Sequence, residues 1–70
     1  MEEVKVFYDR GGQTLTVWFG DPQQESVCEE TGDEVILIKD SQGSVIGFEK
    51  LNFKLPAKHN LRLSFETTAV

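Results

Sequence analysis

The chain has 70 residues, which is room for a single domain with a small core, and we predict one domain over residues 1–70. Twelve acidic and seven basic residues give a net charge of −5, which argues against a nucleic-acid partner because phosphates attract cationic surfaces. Cys28 is the only cysteine and His59 the only histidine, so an internal disulfide is excluded and neither a structural zinc site nor another cofactor is expected.

The chain contains no run of about 20 apolar residues, the length that a membrane-spanning helix needs. Its acidic start, Met1-Glu2-Glu3, is unlike the basic and then apolar start of a secretory signal. A single thiol also fits a reducing compartment better than a secreted setting. We therefore expect a cytoplasmic protein with no membrane partner. Because small cores are usually supplemented by a disulfide, a metal or a subunit, we also expect a homodimer.

The first two predicted strands form a hairpin. Val4–Tyr8 is a run of β-branched and aromatic residues, and Gly11-Gly12 supplies the turn that follows it. Thr14–Phe19 then alternates with the two-residue period of a strand. This alternation places Leu15, Val17 and Phe19 on one face and Thr14, Thr16 and Trp18 on the other. Trp18 therefore lies either under a partial cover or on the surface as an anchor for a partner.

Three further strands follow. Glu25–Glu30 is a polar strand, which we expect at a sheet edge, where charges discourage stray pairing. Glu34–Lys39 has four consecutive apolar residues and is predicted to be an interior strand covered on both faces. Ser44–Lys50 is the fifth strand, and within it Gly47 is predicted to allow a bulge or a close backbone approach.

The hydrophobic phase slips after the fifth strand, and a bulge or a single helical turn near Glu49–Phe53 would absorb the change. Leu61–Glu66 then alternates cleanly and is predicted to be a sixth strand with Leu61, Leu63 and Phe65 facing inward. This strand can pair within its own chain or cross to a second copy, and we expect it to form the dimer. The predicted fold class is therefore mainly β: a small antiparallel meander of five to six strands with at most one short helical turn.

Charge is unevenly distributed along the chain. Residues 1–34 hold nine acidic residues against Lys5 and Arg10, a net charge of −7, whereas residues 35–70 carry +2. An acidic segment of this kind serves either as a solvated surface or as a docking surface for a basic partner. The candidate partner-binding residues are Glu25, Glu29, Glu30, Asp33, Glu34 and Trp18.

No catalytic set is expected. Cys28 and His59 would need hydrogen-bond reach and a third group that orients the base, and nothing in the sequence supplies one. The leading hypothesis is a non-enzymatic, self-associating interaction module, the acidic partner of a basic protein. The alternative is a small-ligand-dependent or divalent-metal-dependent enzyme that uses the carboxylates between Glu29 and Glu34.

Two stretches resemble a small bacterial family of unknown function typified by YuzE. Tyr8-Asp9, a four-residue spacer and Thr14–Val17 are similar to its opening hairpin, and Val35–Leu37 with Asp40–Glu49 are similar to its second hairpin. The resemblance covers about residues 4–51, departs from the usual pattern at Gln13 and Thr16, and leaves Leu55–Val70 as an extension. It implies a compact antiparallel β fold without known chemistry, and an antitoxin-like or partner-binding role, because some members lie beside small toxin-like proteins.

Overall fold

The computed structural model describes residues 3–55 and 62–69. They contain one five-stranded antiparallel sheet and a single 3₁₀ turn at Pro22–Gln24, so the predicted mainly β class is confirmed. None of the described helical segments is long and apolar enough to cross a membrane. The strands are β1 (Lys5–Asp9), β2 (Thr14–Trp18), β3 (Val27–Glu30), β4 (Val35–Lys39) and β5 (Val45–Lys50).

The strands lie in the order β1-β2-β5-β4-β3, so β1 and β3 are the two edges. β1 and β2 form the predicted hairpin, and β3, β4 and β5 form a meander whose last strand pairs with β2. Residues 19–26 therefore carry the chain from β2, next to one edge of the sheet, to β3 at the opposite edge. Gly20 begins this connection, and a Cβ atom there would lie 2.7 Å from Ile46 Cβ, so only glycine fits without displacement.

Strand register divides the side chains between two faces. Trp18 of β2 and Ile38 of β4 both pair with Gly47 of β5, which lies between them. These three residues therefore share one face of the sheet, which we call the mixed face. The opposite face is apolar at its centre and is called the apolar face. Its central residues are all half-buried: Val6, Tyr8, Leu15, Val17, Val35, Leu37 and Phe48.

The buried core is very small. Among the described residues, only Ile38 and Ile46 are buried hydrophobic side chains. β4 is an interior strand, as predicted, but its other apolar side chains are only half-buried. The sheet forms a single layer, and no described helix or second sheet covers either of its faces. A sheet normally buries one face against another layer of secondary structure. The described part of this chain buries its sheet only in part.

The segment after β5 forms hydrogen bonds with the β1–β2 turn and the β3–β4 turn, which lie at the same end of the sheet. Leu51 N–H donates to Glu34 C=O and Phe53 N–H donates to Gln13 C=O, both at 2.8 Å. The Tyr8 hydroxyl donates to Phe53 C=O at 2.6 Å, and the two rings pack edge to face at 5.9 Å. The predicted phase slip is therefore a turn after Lys50, with Asn52 in a left-handed conformation (φ 55°). The sheet's own irregularity lies at Ile38/Lys39.

The prediction of a sixth strand is wrong over residues 62–66. Residues 62–69 form no strand, and Leu63 and Phe65 are exposed rather than turned inward. Alternation satisfies only one requirement of a strand, since the backbone also needs a hydrogen-bonding partner. Neither β1 nor β3 provides one to the described part of this segment. Leu61 and the predicted loop Pro56–Asn60, which includes His59, lie outside the described residues.

Candidate functional site

The candidate site is the edge strand β3 together with the residues that flank it. All four residues of β3 are exposed, and among the described residues only β4 pairs with it. The sequence prediction of a polar edge strand is therefore confirmed. Five exposed carboxylates lie on or beside this strand, and we call them the acidic edge: Glu25, Glu29, Glu30, Asp33 and Glu34.

One row of β3 backbone groups faces away from the sheet. Thr31 N–H donates to Val35 C=O at 3.1 Å, which marks this pair as hydrogen-bonded across the two strands. In an antiparallel ladder, successive residues alternate between facing the partner strand and facing away from it. Glu29 therefore faces β4, whereas the N–H and C=O groups of Cys28 and Glu30 point outward. No described strand pairs with these outward groups.

The acidic edge keeps a net negative charge. Glu29 forms an ion pair with Lys39, and Glu34 lies 3.5 Å from Lys50 Nζ. Five carboxylates and these two ammonium groups leave a net charge of −3. Within the described residues, Glu30 and Asp33 form no ion pair. Sequence reasoning missed both lysines, although the short turn between β3 and β4 sets the register that places Lys39 across from β3.

Glu34 also has a structural role. Its Oε1 accepts a hydrogen bond from Asn52 Nδ2 at 3.0 Å, and its C=O accepts from Leu51 N–H. The residue adopts a left-handed conformation (φ 60°), which ends the turn between β3 and β4. Glu34 thus links this turn to the segment after β5. It is therefore the residue of the acidic edge that is least available to a partner.

The carboxylates between Glu29 and Glu34 do not converge. Glu29 and Glu30 are adjacent in a strand and point to opposite faces, while the side chain of Glu34 turns toward Lys50. No group of three or more His, Cys, Asp or Glu side chains that could hold a metal ion occurs in residues 3–55 and 62–69. Within the described residues, these carboxylates therefore do not form the divalent-metal site that the sequence left open.

Cys28 is poorly suited to nucleophilic chemistry. Its Sγ donates a hydrogen bond to Glu25 Oε2 at 3.2 Å. This bond, some burial and the negative charges of Glu25 and Glu49 raise the pKa of the Cys28 thiol above its ordinary value. A thiol with a raised pKa holds less of the reactive thiolate at neutral pH. His59, the base that we considered for it, lies outside the described residues.

Trp18 does not belong to the acidic edge. It lies on β2, which β5 and β4 separate from β3, and its half-buried ring packs beside Gly47 on the mixed face. A Cβ atom at Gly47 would lie 3.2 Å from Trp18 Cε3, which agrees with the close approach predicted for this glycine. The structure thus separates Trp18 from the five carboxylates with which sequence reasoning grouped it.

A family described as a protein of unknown function, DUF2283, matches residues 5–54. The chain belongs to the DUF2283 family. The DUF2283 match spans all five strands and the hydrogen-bonded segment after β5. It ends before residues 55–70, the C-terminal extension. Neither the curated proteins nor the solved structures contain a match to this DUF2283 chain.

Proposed function

We propose that this DUF2283 domain is a non-enzymatic, self-associating interaction module whose acidic edge receives an extended basic segment of a partner protein. The observation that carries the proposal is β3 itself, an edge strand exposed at every residue, with the backbone groups of Cys28 and Glu30 directed outward. An extended peptide can add to such an edge through main-chain hydrogen bonds. The cytoplasm is the setting that we propose for this interaction.

Charge supports a basic partner. Sheet edges are commonly protected from unwanted pairing by charged side chains, and here those side chains are glutamates. A second copy of β3 would place Glu29 and Glu30 beside like charges, which disfavours pairing between two acidic edges. A strand with Lys or Arg would instead bring opposite charges together across the new ladder. A small basic toxin-like protein, the neighbour that the YuzE-like resemblance implies, has this chemistry.

The test uses a synthetic nine-residue peptide in which Lys alternates with Val. Isothermal titration calorimetry at low salt should show binding to the full chain, because strand addition combines main-chain hydrogen bonds with charge attraction. The same peptide with N-methyl groups on alternate residues keeps its charge but loses the hydrogen bonds. We expect it to bind at least about tenfold more weakly.

Two variants of the protein complete the design. Glu30→Lys reverses a charge beside the outward backbone groups and should weaken binding of the unmodified peptide. Glu66→Lys makes the same change at an exposed residue outside the sheet and should have little effect. Equal binding of the two peptides, or equal losses in the two variants, would show that the peptide meets only a diffuse acidic surface and would contradict the proposal.

A further inference from the structure

A second surface lies on the opposite side of the sheet from the acidic edge. Side chains from the start of β1, the end of β2 and the C-terminal segment line an open groove of about 860 Å³. We call its apolar residues the apolar corner: Val4, Val6, Phe19, Leu63 and Phe65. Val6 belongs to the apolar face, and Val4 and Phe19 extend that face beyond the strand ends. The C-terminal segment therefore contributes to this surface although it forms no strand.

The apolar corner is much more exposed than a surface of these side chains normally is. Val4 is 54% exposed and Phe19 is 48% exposed, while Leu63 and Phe65 reach 69% and 84%. These four residues form one contiguous patch rather than scattered single side chains. Contiguous apolar patches of several hundred Å² mark interaction sites on soluble proteins. The corner is therefore a candidate interaction surface, and the charges around it bear on the kind of partner that fits it.

We infer that the apolar corner is the surface through which a second copy of this chain docks, with the two corners facing each other across a two-fold axis. The inference rests on the self-association proposed above and specifies its surface and symmetry. A two-fold contact brings the same patch together from both copies, which suits a patch that is apolar throughout. The homodimer expected from the sequence thus acquires an interface that includes two residues of its predicted dimer strand.

The size of the corner fits a small dimer interface. If a Val, Leu or Phe side chain presents roughly 100–250 Å² when fully exposed, these exposures correspond to about 400–500 Å² per copy. Two copies would together bury roughly 1,000 Å², the area at which specific interfaces begin. Contacts from the adjoining apolar face would add to this total.

Charge also favours contact at this corner. The flanking Glu3 and Lys5 form an ion pair at 3.5 Å, and Arg62 and Glu66 on the C-terminal segment carry opposite charges. Two corners can therefore meet without net repulsion between these residues. The acidic edge, in contrast, has a net charge of −3 and would repel its own copy. A second copy of the chain is thus suited to the corner and a basic segment to the edge.

The dimer would present two acidic edges. β1 and β3 are four strand spacings apart, roughly 19 Å at about 4.8 Å per spacing. Docking through the β1 side leaves both β3 strands uncovered at the outer ends of the assembly. A partner that carries two basic segments would then bind with a gain from bivalency.

Sedimentation equilibrium of the full chain at about 50 μM tests the inference, since micromolar dissociation is expected for an interface of this size. We expect a dimer. Phe65→Ser and Phe19→Ser should each weaken it at least about tenfold, because both remove apolar contact from the corner. The matched control is Phe7→Ser, which changes a 55% exposed phenylalanine on the mixed face and should leave the dimer intact. Circular dichroism of each variant checks that it is folded.

The outcomes separate this inference from the proposed function. A wild-type monomer at this concentration would overturn both the corner interface and self-association. A dimer that resists Phe65→Ser and Phe19→Ser would overturn the corner alone. Titration of the monomeric Phe65→Ser variant with the basic peptide measures the acidic edge independently, and unchanged binding per chain is expected.

Discussion

At Gly47 of β5, a Cβ atom would lie 2.6 Å from the Val17 carbonyl oxygen. Because that oxygen belongs to the backbone of the neighbouring strand, it cannot move without distorting the sheet. We therefore expect Gly47→Ala to lower the free energy of unfolding by roughly 1–3 kcal/mol, measured by urea denaturation. Gly11→Ala is the control, since a Cβ there would lie 3.5 Å from Asp9 Oδ1 and should change stability by less than about 0.5 kcal/mol. If Gly47→Ala and Gly11→Ala had equal free energies of unfolding, the close approach between Gly47 and the Val17 carbonyl would be contradicted.

Cys28 gives a second prediction at the scale of one residue. The hydrogen bond to Glu25 and the negative charges around the thiol raise its pKa, so thiolate formation is shifted to higher pH. The rate of alkylation by iodoacetamide, followed against pH, should therefore have its midpoint above that of an ordinary thiol. Glu25→Gln should move the midpoint down, whereas the distant Glu66→Gln should not. An identical pH profile in wild type and Glu25→Gln would contradict the role of Glu25.

At the scale of elements, alternation and turn residues predicted all five strands and the polar edge position of β3. Both signals are local: a strand shows its two-residue period, and glycines or charged residues mark its ends. The order of the strands was not predictable in the same way. Insertion of β5 between β2 and β4 depends on contacts such as Gly20 against Ile46, which join residues far apart in the sequence.

The structure brings together only some of the residues of the predicted site, for a related reason. Glu25, Glu29, Glu30 and Asp33 lie together because they are close in sequence and one edge strand carries or flanks them. The ion pairs with Lys39 and Lys50, and the separation of Trp18, depend on strand register and order. The error over residues 62–66 has another origin, since their pattern shows a suitable apolar face but cannot show that a pairing strand exists.

Truncation tests the independence of the sheet from its C-terminal extension. A chain ending at Leu55 retains all five strands of the described residues, the hydrogen bonds of Leu51 and Phe53, and the whole of the DUF2283 match. We expect it to keep the β circular dichroism spectrum but to sediment as a monomer, because it lacks Leu63 and Phe65. An unfolded product would show that the extension belongs to the core, and a folded dimer would show that the interface lies elsewhere.

At the scale of the whole molecule, we propose separate tasks for two surfaces. The near-neutral apolar corner on the β1 side is suited to a second copy, and the acidic edge on the β3 side is suited to a basic segment. The proposed division would let a chain with a net charge of −5 self-associate while it attracts a partner of opposite charge. Binding at the edge should weaken as salt rises, while dimerisation through the apolar corner should depend little on salt.

Amide hydrogen exchange by NMR tests the central claim, strand addition at β3, most directly. The amides of Cys28 and Glu30 point away from the sheet, whereas that of Glu29 already faces β4. Saturation with the alternating Lys-Val peptide should therefore slow exchange at Cys28 and Glu30 markedly and change it little at Glu29. Peptide binding that leaves the exchange of Cys28 and Glu30 unchanged would contradict strand addition at the acidic edge.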